Sequence, residues 1–302
     1  MKELVITAHA YPKDEIAELG NRFLIGNGYM GVRGTLEEAD REQLAAVNLA
    51  GLYDRFGDGW REPLNAPNPF RLRLFVDDLP LALPESETLS HVQQLDLRRG
   101  LHSRETAFPQ GVTLRVERFA HMEQVHLLGL RCTVSASRTV SCRLDAVLDG
   151  EVWDIHGPHY RDMTLTAQGD VSTALAQTNE GNRVAVCARY LAPAAAECRV
   201  EGRQAIHSYP FRLHEGESLS LELVAAVYTD KDAADPLEAA LHSAVAAPDY
   251  EALRSSHIAC WDTLWQRALI EIDGDADAEL ALNYSAYHLL SIAPRHAKSL
   301  SV

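Results

Sequence analysis

The sequence predicts a mainly β protein, in which a large antiparallel β-sandwich is followed by helices. Apolar and polar residues alternate with a period of two from about residue 70 to residue 230. No helix-length apolar period falls between these runs. A parallel sheet needs crossover helices, so the pattern favours antiparallel sheets packed face to face. From residue 235 onward the apolar spacing becomes helical.

Six alternating runs are the clearest strand candidates. Asp77 and Asp78 are typical of a hairpin turn after the first run. The last run is the longest, and its other face carries serine and glutamate. The apolar positions that share a face in each run are Leu72, Leu74 and Val76; Val112, Leu114 and Val116; Leu128, Leu130 and Cys132; Cys142, Leu144 and Ala146; Val184, Val186, Ala188 and Tyr190; and Leu219, Leu221, Leu223, Ala225 and Val227.

Three helices are predicted after the strands. Pro236 is suited to the first turn of one helix, and Asp249 is suited to cap the second. The second helix carries a long apolar stripe from Tyr250 to Ala268. The third, over about residues 276–292, is apolar on nearly all sides, a pattern typical of burial over most of a helix surface. Few later residues are available to pack on it, so we expect a continuation of the protein or another chain to cover it. Residues 269–272 are predicted to be a short extended piece.

Composition and charge exclude several classes of function. The formal net charge of -15 speaks against binding to nucleic acid or to an anionic membrane surface. No signal peptide is visible, and no apolar run is long enough to span a bilayer. The five cysteines are scattered without metal or redox spacing. We therefore expect reduced cysteines in a cytoplasmic protein.

A glycine-rich segment matches a nucleotide-binding pattern letter for letter. Gly26, Gly28 and Gly31 have the spacing of the dinucleotide fingerprint. That fingerprint binds pyrophosphate only at the start of a helix inside a βαβ unit, and Gly34 would break such a helix. No parallel repeat follows. The segment is therefore interpreted as a glycine-lined turn that anchors strands or a neighbouring domain.

The same segment carries a family resemblance. Residues 23–34, Phe-Leu-Ile-Gly-Asn-Gly-Tyr-Met-Gly-Val-Arg-Gly, resemble the N-terminal signature of glycoside hydrolase family 65, which includes maltose, trehalose and kojibiose phosphorylases. Other segments resemble this family in the same order along nearly the whole chain. They are residues 95–105, 117–122, 126–131, 148–154, 157–159, 259–265 and 281–290.

The resemblance implies a domain organisation. The family fold has an N-terminal β-sandwich similar to the galactose mutarotase-like super-sandwich, a helical linker, an (α/α)6 barrel and a small C-terminal β domain. By this resemblance residues 1–232 form the sandwich domain and residues 233–274 the helical linker. Residues 275–302 are then the opening helix of an incomplete catalytic barrel.

The resemblance also implies a reaction. In the family a barrel glutamate is the general acid, and inorganic phosphate, or water in hydrolases, attacks an α-glucosidic bond with inversion. No catalytic residue can be carried over to this chain, and no cofactor is expected. We therefore expect a non-catalytic N-terminal region of an inverting α-glucoside phosphorylase or hydrolase, supporting the barrel and oligomerisation. Phosphate and an α-linked glucose disaccharide are partners of the complete protein, and a homodimer is a further expectation.

An alternative function and a set of site candidates remain. The alternative is a stand-alone carbohydrate-binding β-sandwich module. Glu37 and Glu38 are adjacent, so they do not suit the roles of a general acid and a general base that act from opposite sides of a bond. They are predicted to lie on a solvated turn. Metal binding near His156 would need ligands that the sequence does not place, so a loop histidine is preferred. The candidates for interdomain or substrate-adjacent contacts are Asn27, Tyr29, Arg33, Trp153 and His159.

Overall fold

The computed structural model describes residues 4–294 and 296–297. The strands of this part of the chain are β1 (Val5–Ala8), β2 (Ile25–Gly26), β3 (Met30–Val32), β4 (Val47–Arg55), β5 (Arg61–Asn65), β6 (Asn68–Val76), β7 (Leu79–Leu81), β8 (Ser90–Asp96), β9 (Leu101–Phe108), β10 (Val112–Ala120), β11 (Leu127–Ala136), β12 (Val140–Asp149), β13 (Tyr160–Gln168), β14 (Val171–Thr178), β15 (Arg183–Leu191), β16 (Glu197–Glu201), β17 (Gln204–Leu213) and β18 (Ser218–Thr229). The α-helices are α1 (Ile16–Arg22), α2 (Pro236–Ala246), α3 (Tyr250–Ala268) and α4 (Ala276–Ile292).

The strands form three antiparallel sheets, as the period-two pattern predicted. The largest sheet has nine strands in the order β1-β8-β9-β10-β11-β18-β15-β14-β13. A second has the order β16-β17-β12-β6-β7, and a third has the order β2-β3-β4-β5. One hydrophobic core draws side chains from all three, for example Val116, Leu144 and Leu64. Side chains that alternate between core and solvent therefore account for the sandwich.

Strand β18 alternates between apolar and polar residues in its first half and is apolar on both faces in its second half. Leu221 and Leu223 face the main core, whereas Val224 and Ala226 are buried in a second cluster on the opposite face. Helix α2 and the start of α3 cover that opposite face. The second half of β18 is therefore apolar on both sides because two layers cover it.

The predicted helices are confirmed with their caps. The side chains of Asp235, Asp249 and Asp275 accept backbone N–H groups in the first turns of α2, α3 and α4. The stripe on α3 is buried as predicted, and Trp265 donates its indole N–H to the carbonyl of Leu97 at 2.9 Å. The part of the chain that the structure describes has no helix long and apolar enough to cross a membrane.

Helix α4 and the piece before it need closer description. Within the described residues α4 is covered on one side, and Leu282 and Leu289 on its other side are 47% and 63% exposed. The piece at 269–272 begins with an extended residue and joins no sheet among the described residues, and side chains of α4 bond to its backbone. Asn283 exchanges hydrogen bonds with the N–H and the carbonyl of Ile270, and Glu279 accepts the N–H of Ile272 at 2.9 Å.

The first 70 residues contain more regular structure than the sequence pattern showed. They hold β1 to β5 and α1, all of them short except the nine-residue β4. The pairing of β4 with β5 shifts register between Asn48 and Tyr53, which interrupts the simple alternation. Short and irregular strands leave a weak period-two signal, which explains the difference.

The five cysteines are free thiols in the structure. Cys132, Cys142 and Cys187 are buried in strands, where they act as small apolar side chains, while Cys198 is exposed. Burial raises the pKa of Cys132 to about 12, so this thiol stays protonated and unreactive.

Candidate functional site

The glycine-rich segment forms a tight hairpin. Strands β2 and β3 pair through Gly26 and Gly31, and the N–H of Asn27 donates to the carbonyl of Met30. Gly28 has a φ of 83°, a conformation that favours glycine. The third glycine of the fingerprint, Gly31, therefore lies inside strand β3, where pyrophosphate binding would require the start of a helix.

Asn27 holds this hairpin in place from inside. Its side-chain oxygen, Oδ1, accepts the backbone N–H groups of Tyr29 and Met30, each at 3.0 Å. Its amide donates to the carbonyl of His121 at 2.9 Å and to that of Val125 at 2.8 Å. The side chain is completely buried. The hairpin is thus fastened to the loop between β10 and β11.

Tyr29 fastens the hairpin to the end of β18. Its hydroxyl donates to Oδ2 of Asp232 at 2.6 Å, and Asp232 also accepts from Thr229. Its ring lies edge-on to His126 and His296, with centroids 4.4 Å and 5.0 Å away. Burial, with the Asp232 charge beside it, raises the pKa of Tyr29, so the hydroxyl remains a donor.

Arg33 joins the end of the hairpin to α1. Nη1 donates to Oδ1 of Asn21 at 2.8 Å, and Nη2 donates to the carbonyl of Ala17 at 2.7 Å. The guanidinium covers Gly20, where a Cβ would lie 2.7 Å from Nη2. Burial lowers the pKa of Arg33. Asn27, Tyr29 and Arg33 thus contact their own sandwich, and their interdomain role remains a prediction.

The outer side of the hairpin contacts the last turn of α4. A Cβ on Gly28 would collide with the backbone of Ala293, and one on Gly26 would lie 3.1 Å from the carbonyl oxygen of Ser291. Tyr287 adds a hydrogen bond from its hydroxyl to the carbonyl of Leu24 at 3.3 Å. Two backbones can approach this closely only where side chains are missing, which is the physical reason for glycine here.

Trp153 lies in the loop between β12 and β13. Its carbonyl accepts the amide of Asn65 at 2.6 Å, and the hydroxyl of Tyr160 donates to the carbonyl of Asn65 at 2.8 Å. These bonds tie the loop to the end of β5. The Trp153 side chain is half-buried.

His159 lies in the same loop and is completely buried between two carboxylates. Asp54 on β4 and Glu62 on β5 are directly opposite each other in the strand pairing. Nδ1 of His159 is 3.1 Å from Asp54, and Nε2 is 2.7 Å from Glu62. Like charges opposite each other on neighbouring strands repel. A protonated imidazole that donates to both carboxylates offsets this repulsion.

The pKa values of these groups agree with that arrangement. Burial opposes the charge on His159, but its hydrogen bonds to Glu62 and Asp54 outweigh burial and raise its pKa. Burial likewise opposes the charges of Asp54 and Glu62. Backbone N–H groups and the imidazolium outweigh it and lower the pKa of both carboxyls.

The same cluster offers atoms that could bind a metal ion. Ligand atoms of Glu62, Asp154 and His159 lie within 4.8 Å of one another. Oε1 of Glu62, however, already accepts the N–H groups of Ile155 and His156 in addition to His159. A metal would have to displace the proton on Nε2 and compete with these donors. The contacts therefore favour an imidazolium that clamps the loop to the β4–β5 hairpin.

Sequence reasoning missed the partners of His159, although a signal was present. Asp54 follows Leu52 by two positions, and Glu62 precedes Leu64 by two, so each carboxylate lies on the apolar face of its strand. A charged residue in phase with core residues indicates a buried ion pair. The strand register and the partner from a distant loop were not visible in the sequence.

Glu37 and Glu38 lie on a turn as predicted, but the prediction that this turn is solvated is wrong. Glu37 is 2% exposed and lies 2.8 Å from Nε of the buried Arg104. Oε1 of Glu38 accepts Nη1 of the same arginine at 3.0 Å, and Arg118 approaches Glu37 at 3.4 Å. Burial opposes the charge on Arg104, but Glu38 and Glu37 outweigh it and raise its pKa. The two glutamates are buried charges paired with arginines.

Residues 6–264 match the family described as glycosyl hydrolase family 65, N-terminal domain. The chain belongs to this family. The resemblance seen at the glycine-rich hairpin is thereby confirmed. The match covers the three sheets, α2 and most of α3.

Curated relatives of this family-65 chain include several phosphorylases. It is 36% identical to the nigerose phosphorylase of Lachnoclostridium phytofermentans, over 98% of this chain and 44% of that protein. It is 26% identical to the kojibiose phosphorylase of Halothermothrix orenii, over 100% of this chain and 42% of that protein. The chain therefore spans less than half the length of these relatives.

A solved structure shares the fold of the family-65 chain. The protein described as "Putative kojibiose phosphorylase from human microbiome" superimposes with a TM-score of 0.84 and 16% identity. The match covers 95% of this chain and 41% of that one. The likeness confirms the architecture of antiparallel sheets followed by helices.

The first prediction concerns the contact between the hairpin and α4. Gly28→Ala should destabilise the chain by about 2–5 kcal/mol, because it adds both backbone strain and a collision with Ala293. Gly181→Ala is the matched control, since Gly181 has a φ of 93° and an added Cβ would meet no atom within 4 Å. It should cost only about 1–2 kcal/mol.

Chemical denaturation measures both free energies of unfolding, and hydrogen exchange over 284–292 locates the effect. Faster exchange of α4 is expected for Gly28→Ala alone. Equal costs and equal exchange in the two variants would show that the close approach does not hold α4.

The second prediction concerns His159. His159→Gln leaves Asp54 and Glu62 buried without a cation and should cost about 3–5 kcal/mol in denaturant unfolding. His242→Gln, on the exposed surface of α2, is the control and should stay within about 0.5 kcal/mol of the parent protein.

The contribution of the His159 cluster to the free energy of unfolding depends on pH in a predictable direction. Since the pKa of His159 is raised by folding, its contribution is complete below about pH 6.5 and is lost as the pH rises through the folded value. The lowered carboxyl pKa values contribute above about pH 4.5 and lose that contribution as the pH falls through the folded values. The difference between parent and His159→Gln should be largest between about pH 5 and 6.5. A difference that grows above pH 8 would contradict the clamp.

Proposed function

We propose that this chain is the non-catalytic N-terminal region of an α-glucoside phosphorylase, and that α4 docks it to the catalytic part. Its relatives nigerose phosphorylase and kojibiose phosphorylase support an α-linked glucose disaccharide and phosphate as substrates of the complete protein. Those relatives extend well beyond the length that this chain covers. In this proposal the sandwich supplies a rigid platform and the catalytic groups lie in the remaining part.

The observation that carries the proposal is that α4 is apolar on two sides. The side that packs on the sandwich contributes Leu280, Tyr287 and Leu290 to the main core, together with the buried polar residues Glu279, Asn283 and Ser291. The opposite side presents Leu282 and Leu289, which are 47% and 63% exposed, and ends at Ile292, which is 46% exposed. A helix at the surface of a finished domain has its apolar side inward. This arrangement suits a helix that is covered on both sides.

Polar groups on the inner side of α4 hydrogen-bond to neighbouring backbone. Asn283 and Glu279 bond to the backbone of residues 269–272, and Tyr284 donates from its hydroxyl to the carbonyl of Arg22 at 3.1 Å. Tyr287 stacks on Trp261 of α3, with centroids 4.9 Å apart. These directional contacts fix the orientation of α4, so its leucines point in one defined direction. We propose that the catalytic part packs on those leucines.

A third prediction tests the non-catalytic assignment. This chain alone, supplied with phosphate and nigerose, kojibiose, maltose or trehalose, should release no glucose 1-phosphate. The reason is that the general acid and the phosphate ligands are assigned to the part outside this chain. A coupled assay for glucose 1-phosphate, with the complete nigerose phosphorylase as positive control, measures this. Substantial phosphate-dependent release by the chain alone would overturn the proposal.

The fourth prediction tests docking through α4. The chain replaces the matching region of nigerose phosphorylase from Lachnoclostridium phytofermentans, and phosphorolysis of nigerose is measured. The double substitution Leu282→Lys and Leu289→Lys should reduce activity of this chimera at least about tenfold, because two charges would be buried at the junction.

In the isolated chain the same double substitution should change stability by less than about 0.5 kcal/mol per site. Lysines at Leu241 and Val245 of α2, which are 40% and 49% exposed, form the matched control. Equal activity of both double variants would contradict docking at α4. Light scattering on the isolated chain shows whether the same leucines join two copies instead.

A further inference from the structure

A cavity lies where the glycine hairpin, strands β4 and β5, the Trp153 loop and the end of α4 meet. Its volume is about 350 Å³. Its walls include the hairpin glycines, Asn48, Asn65, Trp153 and Ser291. Ligand pockets for small molecules begin at about 300 Å³, so the cavity fits one small ring rather than a chain of sugars.

The residues that line the cavity suit an uncharged ligand. Among the described residues that line the cavity, Arg33 is the one with a formal charge, and no carboxylate is present. Each η nitrogen of Arg33 makes one hydrogen bond, to Asn21 or to Ala17, and Nε lies beside Gly20 without a hydrogen-bond partner among the described residues. The wall thus holds one partly used guanidinium and, within the described residues, no second cation for an anion. Amide groups that both donate and accept suit hydroxyl groups, which also do both.

Within the described part of the chain, the side-chain oxygen of Asn65 lacks a hydrogen-bond donor. The residue is 4% exposed, and its amide donates to the carbonyl of Trp153. Its Oδ1 is buried and has no hydrogen-bond partner among the described residues. Buried carbonyl oxygens are almost always paired, so an orphan in a cavity wall points to a donor from a ligand. A hydroxyl group is the neutral donor that fits.

Trp153 supplies the apolar contact. Its half-buried indole lines the same cavity as Asn65. A sugar ring has hydroxyl groups on its rim and C–H groups on its faces, so it matches a wall that combines amides with an aromatic ring. Glycerol and other acyclic polyols share the hydroxyls but lack the ring face.

We propose that this cavity binds a neutral polyol of about one hexose ring. One hydroxyl donates to Oδ1 of Asn65, the ring face packs on Trp153, and Asn48 pairs with a second hydroxyl. The site lies entirely within this chain, and it does not depend on docking through α4. Its failure and the failure of the proposed function are therefore distinguishable.

The experiment is isothermal titration calorimetry on the 302-residue chain with D-glucose, glycerol and inorganic phosphate. Glucose should bind saturably with a Kd on the order of 1 mM, glycerol more weakly, and phosphate not at all. Trp153→Ala and Asn65→Ala should each weaken glucose binding at least about tenfold. Trp153→Phe keeps a ring, so it should lose about threefold or less and guards against loss of folding as the cause.

Trp60→Ala is the matched control, because Trp60 is 66% exposed and lies outside the cavity wall. It should leave the glucose Kd within about twofold. The proposal is overturned by any of three results. These are no saturable glucose binding below about 50 mM, binding of phosphate without binding of glucose, or equal weakening by Trp60→Ala and Trp153→Ala.

Discussion

The close approach of two backbones, at the glycine hairpin and the last turn of α4, is the constraint on which the rest of this structure depends. A Cβ at Gly28 would occupy the space of Ala293. Asn27 fixes the hairpin from inside through four hydrogen bonds. The position of α4, and with it the direction of Leu282 and Leu289, follows from that contact. A close backbone contact at glycines holds the helix rigidly, which a scaffold that presents a helix to another domain requires.

Buried ion pairs are a second constraint on the structure. Asp54 and Glu62 lie opposite each other in one strand pair, and His159 from a distant loop neutralises them. Glu37 and Glu38 are paired with Arg104 in a comparable way. Such pairs add little net stability compared with apolar packing, but breaking one is costly. Their effect is to define which loop meets which strand, and the His159 clamp places Trp153 beside Asn65 at the cavity.

Much of the fold was predictable because its longest elements are strongly periodic. The run that ends at Val227, the cap at Asp249 and the stripe on α3 all appear where the sequence placed them. The first 70 residues were harder, since short strands and a register shift leave little period to detect. The five site candidates lie at or near the hairpin and its neighbouring loop. Asn65 and Glu62 were missed because their roles depend on partners about 90 residues away in the chain.

Local patterns were enough to predict the antiparallel sheets and the three terminal helices, because period and capping depend on near neighbours along the chain. The glycine motif and seven further segments in the same order predicted the family. Solvent exposure and pairing were decided only in three dimensions. Glu37 was expected in water but is buried, and only the structure shows which side of α4 packs on the sandwich and which side leaves Leu282 and Leu289 exposed. The physical reason is that the burial of an apolar side chain and the pairing of a charge depend on the groups that contact them. Those groups come from residues far away in the sequence.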